Sequence, residues 1–151
     1  MRHCVIRIAA GLLLAVASSA AAQRQMENLT RGIVAVKQSG AVYVGWRLFG
    51  TDPESVAFNL YRITGEGEPV KVNETPISGS TNYVDRGADT SKPLQYFVRA
   101  LLNGKDLAAS KPARAWDVAY LEIPIRSIPE YQPGDASIAD LDGDGEYEIV
   151  L

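Results

Sequence analysis

The 151-residue chain has one cysteine, Cys4, and one histidine, His3, both within its first four residues. That scarcity excludes a good deal. With no second cysteine there is no disulfide within the chain and no thiolate zinc site, and nothing after His3 can run histidine-dependent acid–base chemistry. Positive charge is also short: 15 Lys and Arg against 18 Asp and Glu give a net charge of −3. An acidic chain without a basic run is a poor partner for nucleic acid. Helical periodicity is hard to find anywhere. Long apolar runs are missing too, apart from one near the front, so nothing later suggests a membrane anchor.

That one run has a simpler meaning. Arg2 and Arg7 precede "IAAGLLLAVA", and "SSAAA" follows, ending at Ala22. A positive segment, an apolar stretch too short for a span of ~20 residues and a small-residue site make a secretory signal peptide. Residues 1–22 are therefore expected to be removed between Ala22 and Gln23, leaving a secreted or periplasmic protein. Cys4 lies too early to be the acylated cysteine of a lipoprotein. Loss of the leader removes Cys4, His3, Arg2 and Arg7, and leaves 13 cations against 18 acids, a net −5. The sequons at Asn28 ("NLT") and Asn73 ("NET") are short enough to arise by chance.

What the rest of the chain does have is period-two alternation. In "AVYVGWRLF", Val42, Val44, Trp46 and Leu48 fall on one face and Tyr43 and Arg47 on the other; in "LQYFVRALL", Leu94, Tyr96, Val98, Ala100 and Leu102 oppose Gln95 and Arg99. "GIVAVK", "AFNLYRI" and "NYVD" are further strand candidates. Between them lie the turn signals "QSG", "GTDPES", "TGEGEP", "NETPISGST", "GADTSKP" and "NGKD". This spacing predicts an all-β sandwich over residues 23–112. A lone Trp on an early strand, then "YR", then Tyr-x-Val-x-Ala before an Asn-Gly turn, resembles a fibronectin type III-like β-sandwich. On that pattern Trp46 is a core residue rather than a sugar platform, and Tyr96 sits where a tyrosine corner belongs. Residues 113–133, proline-bearing and without long alternation, are expected to be an extended linker with one short strand near "YLEIPI". Trp116 could anchor that linker to the sandwich or contact a sugar.

Residues 134–151 change character. "DASIAD" and "YEIVL" read as short strands around Asp140-Leu-Asp142-Gly-Asp144-Gly-Glu146-Tyr-Glu148. Carboxylates at positions 1, 3 and 5 with glycine at 6 open a calcium loop: the acids converge on one centre, and the glycine allows the turn that brings in the carbonyl of position 7. Position 12 is Leu151, not glutamate, and the flanks are strands, so an EF-hand is excluded. Glu148, at position 9, is the available closing ligand. The expected ligands are Asp140, Asp142, Asp144, the Glu146 carbonyl and Glu148, the cofactor is calcium, and its role is structural. An acidic, solvated hairpin turn that binds nothing is the plainer alternative. Asp135 lies outside the spacing. Such loops occur in β-propeller blades, and two strands are too few for a blade. Residues 134–151 are accordingly read as the start of a calcium-binding β-propeller, and the chain as the front of a longer one.

"MENLTRGIVAVKQSGAVYVGWRLFGTDPESVAFNLYR", "TNYVDRGADTSKPLQYFVRALLNGK" and "GDASIADLDGDGEYEIVL" together resemble the front of a rhamnogalacturonan lyase of polysaccharide lyase family 11. The resemblance runs from about Met26 to Leu151. It implies a small β-sandwich joined to a calcium-bearing propeller, and a secreted, expectedly monomeric enzyme acting on the plant cell-wall polysaccharide rhamnogalacturonan I by β-elimination. It carries Asp140, Asp142, Asp144, Glu146 and Glu148 over as calcium ligands. It supplies no catalytic residue here, so the chain alone is expected to be inactive. A non-enzymatic carbohydrate-binding or adhesion protein is the competing class. A glycoside hydrolase would need a spaced carboxylate pair, and the sandwich offers none.

Overall fold

The structure, a computed structural model, describes residues 28–120, 122–126 and 128–151; the expected signal peptide and its cleavage site lie outside them. Among the described residues the ordered elements are all strands, and no helix is long and apolar enough to cross a membrane. β1 (Val34–Gln38) turns through Ser39 and Gly40 into β2 (Ala41–Gly45). Both turn residues have positive φ, 51° and 78°, as a two-residue hairpin requires if its twist is to match that of the strands. The same device recurs at Asn103 (51°) and Gly104 (76°), between β7 (Leu94–Leu102) and β8 (Lys105–Ala109). β3 (Ala57–Thr64) lies antiparallel to β7, from Ala57↔Leu101 to Thr64↔Leu94. Two short strands, β4 (Val70–Lys71) and β5 (Ile77–Ser78), edge β3, and β6 (Asn82–Asp85) edges β2.

One strand joins the two halves. β9 (Ala113–Trp116) begins antiparallel to β7, with Tyr96↔Ala113 and Gln95↔Arg114, and ends parallel to β1, with Ala35↔Ala115 and Val36↔Trp116. The sheet order is therefore β4-β3-β7-β9-β1-β2-β6, curled so that its halves face each other, as strands that change layers allow. Ala35, Val42 and Val44 from one half pack with Phe58, Leu60, Leu94, Tyr96, Val98 and Ala100 from the other. Trp46 lies in that core, 6% exposed, edge-on to Phe58 at 5.4 Å between ring centres.

Several expectations need correction. Ala113–Trp116 is a strand of the sheet and not the start of a linker. Ser110 carries the chain from β8 to β9 by donating its N–H to the Val98 carbonyl (2.9 Å) and accepting the Val98 N–H on its hydroxyl (3.1 Å). Residues 122–126 form no strand. Leu48 is 60% exposed rather than in phase with Val44, because β2 ends at Gly45 and the next backbone donors turn away: Trp46 N–H to Thr81 O, Arg47 N–H to Arg31 O.

Two polar knots brace the fold, the first across the two halves and the second within the half built on β3. Tyr96, fully buried, donates its hydroxyl to Asp85 Oδ2 (3.0 Å), which also takes Arg62 Nη1 (2.6 Å), while Asp85 Oδ1 accepts the Gly87 N–H (3.0 Å). The Tyr96 hydroxyl thus reaches back as a tyrosine corner does, to a side chain at the end of β6. Asn73, also buried, accepts the Leu60 N–H (2.7 Å) and donates to Phe58 O (3.3 Å) and Thr75 O (2.9 Å). Its amide is built into the sheet edge and is not presented at the surface.

Candidate metal centre

β10 (Ser137–Ala139) and β11 (Glu148–Val150) pair antiparallel, with Ala139↔Glu148 closing the hairpin around residues 140–147. Within it four of the five acids, all but Glu146, bond the backbone ahead of or behind them. Asp140 accepts the N–H groups of Gly143 (2.8 Å) and Gly145 (3.1 Å), Asp142 that of Asp144 (3.1 Å), Asp144 that of Glu146 (2.8 Å), and Glu148 that of Leu141 (2.7 Å). Acceptor side chains of this length favour local turns, and the successive turns wind the chain around a centre.

The outcome is convergence. Ligand oxygens of Asp140, Asp142 and Glu148 lie within 4.8 Å of one another, the one such grouping among the described residues. A calcium ion, with oxygen ligands at ~2.3–2.6 Å, can bridge a triad of that spread, and hard carboxylate oxygens are the donors it prefers. Asp144 and Glu146 stand outside the triad. Asp144 is exposed, and the Glu146 carboxylate faces away: its Oε1 accepts the Thr30 hydroxyl (3.0 Å) and lies 3.8 Å from Lys111 Nζ. Asp135 is exposed and has no part in the grouping.

The loop is docked on the sandwich. Thr30 donates its N–H to the Gly145 carbonyl (2.9 Å), and Arg47 donates Nη1 to the Thr30 carbonyl (3.0 Å) while its guanidinium lies 4.4 Å from the Tyr147 ring centre. Gly145 is buried with φ at 91°, and a Cβ there would lie 2.7 Å from the Asn28 carbonyl oxygen. Thr30, Arg47 and Lys111 were not legible as site residues: Thr30 stands out in the sequence only as part of a sequon, and the contact to Glu146 spans 116 positions.

The other candidates resolve simply. Trp46 is enclosed by core residues, and its indole Nε1 has no hydrogen-bond partner among the described residues. Trp116, half-buried, ends β9 beside Val36. Near the loop's docking segment, Arg31 forms a two-pronged ion pair with Asp52 (2.5 and 2.8 Å) and lies over the Phe49 ring at 3.8 Å. The Arg31 hydrogen bonds hold the Asp52 carboxyl below the usual carboxylate range, against an opposing push from burial.

Comparison with known proteins gives a consistent result. The family profile of the rhamnogalacturonan I lyases beta-sheet domain matches residues 24–116. Rhamnogalacturonan endolyase YesW of Bacillus subtilis (strain 168) is 41% identical over 140 residues, covering 86% of this chain and 21% of the relative. Rhamnogalacturonan exolyase YesX of the same organism is also 41% identical over 140 residues, covering 85% and 22%. A solved structure of Bacillus licheniformis rhamnogalacturonan lyase PL11 superposes with a TM-score of 0.71 at 45% identity, over 83% of this chain and 22% of that one. The chain thus spans about a fifth of the length of the curated relatives it matches.

Proposed function

Because the chain belongs to the rhamnogalacturonan I lyase family, whose beta-sheet domain it carries, we propose that it is the N-terminal part of a secreted lyase that cleaves the rhamnogalacturonan I backbone of pectin by β-elimination. The observation that carries this reading is the length of the likeness. Identity of 41% extends over 140 residues, well beyond the sandwich. In such a reaction a base takes the weakly acidic proton alpha to the uronate carboxylate, and the 4-oxygen leaves, giving an unsaturated sugar. This chain contributes no base: its concentrated acids are held by their own backbone or turned onto Thr30. Base and substrate clamp belong to the remainder of the protein, and residues 1–151 alone are inactive. This chain is equally similar to an endolyase and an exolyase, at 41% identity each, and the determinants of cleavage mode are assigned, like the base, to the remainder of the protein.

Asp140, Asp142, Asp144, the Glu146 carbonyl and Glu148 are assigned as calcium ligands, supported by the convergent triad and by the mutual repulsion of four clustered anions. Bound calcium supplies the binding energy that holds a loop with too little apolar surface to hold itself. The residues around it orient the hairpin that opens the propeller, and residues 1–22 direct export of a monomer. The curled sheet is assigned as fibronectin type III-like on its strand order, Trp46 and Tyr96.

The test is to incubate the protein carrying this chain with rhamnogalacturonan I and with homogalacturonan, following the ultraviolet absorbance of unsaturated uronate. Absorbance should rise with rhamnogalacturonan I alone. Polysaccharide binding without any rise would sink the lyase reading and favour a binding protein. Terminal sequencing of the exported protein should begin at Gln23.

A further inference from the structure

The docking of the acidic loop onto residues 28–30 has a use that the loop's own geometry does not require. A hairpin of two three-residue strands is too short to hold a fixed shape in water by itself. Here its most constrained residue is gripped from outside. Gly145 has φ at 91° and donates its N–H to Asp140 Oδ2, so its conformation determines where the first acid of the loop stands. Its carbonyl is taken by the Thr30 N–H, and Asn28 O sits where a side chain would be. One residue on, the Thr30 hydroxyl takes the Glu146 carboxylate at 3.0 Å, with Lys111 Nζ behind it at 3.8 Å. That hydroxyl also accepts the Gly32 N–H (3.3 Å), so its proton is directed to Glu146. Arg47 completes the grip, bonding the Thr30 carbonyl and covering Tyr147.

We propose that Thr30 is a positioning residue for the metal loop, fixing residues 145 and 146 so that the triad is formed before the cation arrives. The proposal rests on the calcium assignment above. Pre-forming the site has a definite effect. An ion that must order its own ligands binds more weakly, in proportion to the fraction of time the site is competent. Thr30 also keeps the Glu146 carboxylate out of the centre, leaving that residue only its backbone oxygen to offer. Coupling is reciprocal: if the sandwich organises the loop, occupancy of the loop must stabilise the sandwich by the same factor.

The experiment is a calcium titration of the 151-residue chain by calorimetry, with thermal melts in calcium and in chelator, for the natural chain, Thr30→Val, Thr30→Ser and Thr51→Val. Valine keeps the shape and the backbone donor and removes only the hydroxyl; Thr51, on an exposed turn, is the control. Loss of one hydrogen bond to a carboxylate should weaken calcium binding by about five- to tenfold. Serine should restore most of it, and Thr51→Val should leave it unchanged. The rise in melting temperature on adding calcium should shrink in Thr30→Val, while its melting temperature in chelator stays close to that of the natural chain. Equal lowering of both melts with unchanged affinity would make Thr30 an ordinary structural residue and overturn the proposal with the metal assignment intact. A natural chain that binds no calcium at millimolar concentrations would overturn both. Should Thr30→Val fold poorly, Lys111→Ala removes an exposed support of the same carboxylate, and unchanged affinity there as well would count against the grip.

Discussion

Replacing Tyr96 by phenylalanine deletes a single oxygen from the centre of the fold and should leave a pH signature. Tyr96 is fully buried, and its hydroxyl donates to Asp85 Oδ2 at 3.0 Å. Asp85 keeps two other donors, Arg62 and the Gly87 N–H, so its charge is not stranded by the change. The loss is then that of one hydrogen bond to a charged acceptor, about 1–2 kcal/mol at neutral pH. Burial, reinforced by the Asp85 charge, pushes the Tyr96 phenol well above its usual value near 10. In the unfolded chain the same phenol ionises from about pH 10. A group whose folded value is raised gives stability that is complete below the unfolded value and is lost as the pH climbs toward the folded one. At one unit above 10 that loss reaches about 1.4 kcal/mol. The natural chain should therefore be more stable than Tyr96→Phe at pH 7–9, draw level near pH 11 and fall behind beyond it. Urea unfolding of both proteins across that range is the assay, since the other tyrosines cancel in the difference. A gap that stays constant from neutral pH to 11 would refute the account of a phenol held un-ionised by the fold.

Other outcomes follow from the same structure. Asp52→Asn should cost about 1–3 kcal/mol at neutral pH, because a largely buried two-pronged pair with Arg31 loses its charge; since the Asp52 value is lowered on folding, the gap should close as the pH falls below about 4, as read by thermal melts. Leu60→Ala, at a fully buried position on β3, should cost about 2–5 kcal/mol in urea unfolding with little change in m-value. Calcium at a hundred times its dissociation constant should stabilise the natural chain by about 2.7 kcal/mol, and Asp142→Asn should abolish most of that increment without changing the melt in chelator. An Asp142→Asn protein that still gains the full increment would remove Asp142 from the ligand set.

Much of this architecture was legible because alternation reports burial directly. β2 and β7 stand where apolar residues recur every second position, and Trp46 and Tyr96 proved to be core residues as their phase implied. Alternation fails where a strand is defined by its partners. β4 and β5 have two residues each and no period to detect, and Ala113–Trp116 is a strand because Tyr96 and Val36 offer it backbone groups. Leu48 shows the converse error, since the pattern runs on after the hydrogen bonds have gone elsewhere. In the acidic loop the spacing predicted Asp140, Asp142, Asp144, the Glu146 carbonyl and Glu148 around one centre; carboxylate oxygens of Asp140, Asp142 and Glu148 lie within 4.8 Å of one another, while Asp144 and the Glu146 carboxylate stand outside that grouping. The grip of Thr30 on Gly145 and Glu146 had no sequence signal, because neither its residue types nor its separation is distinctive.

The parallel register of β1 and β9 has a mechanical consequence. Ala35 lies beside Ala115 and Val36 beside Trp116, so the strand by which the chain enters the sandwich and the strand by which it leaves run side by side in the same direction. Tension applied before β1 and after β9 pulls these neighbours in opposite senses along their length. Their cross-links are then loaded together in shear, instead of being peeled open one after another, and β9 is also tied to β7 on its other side. A module threaded in this way passes force between whatever precedes it and whatever follows it while its interior remains closed.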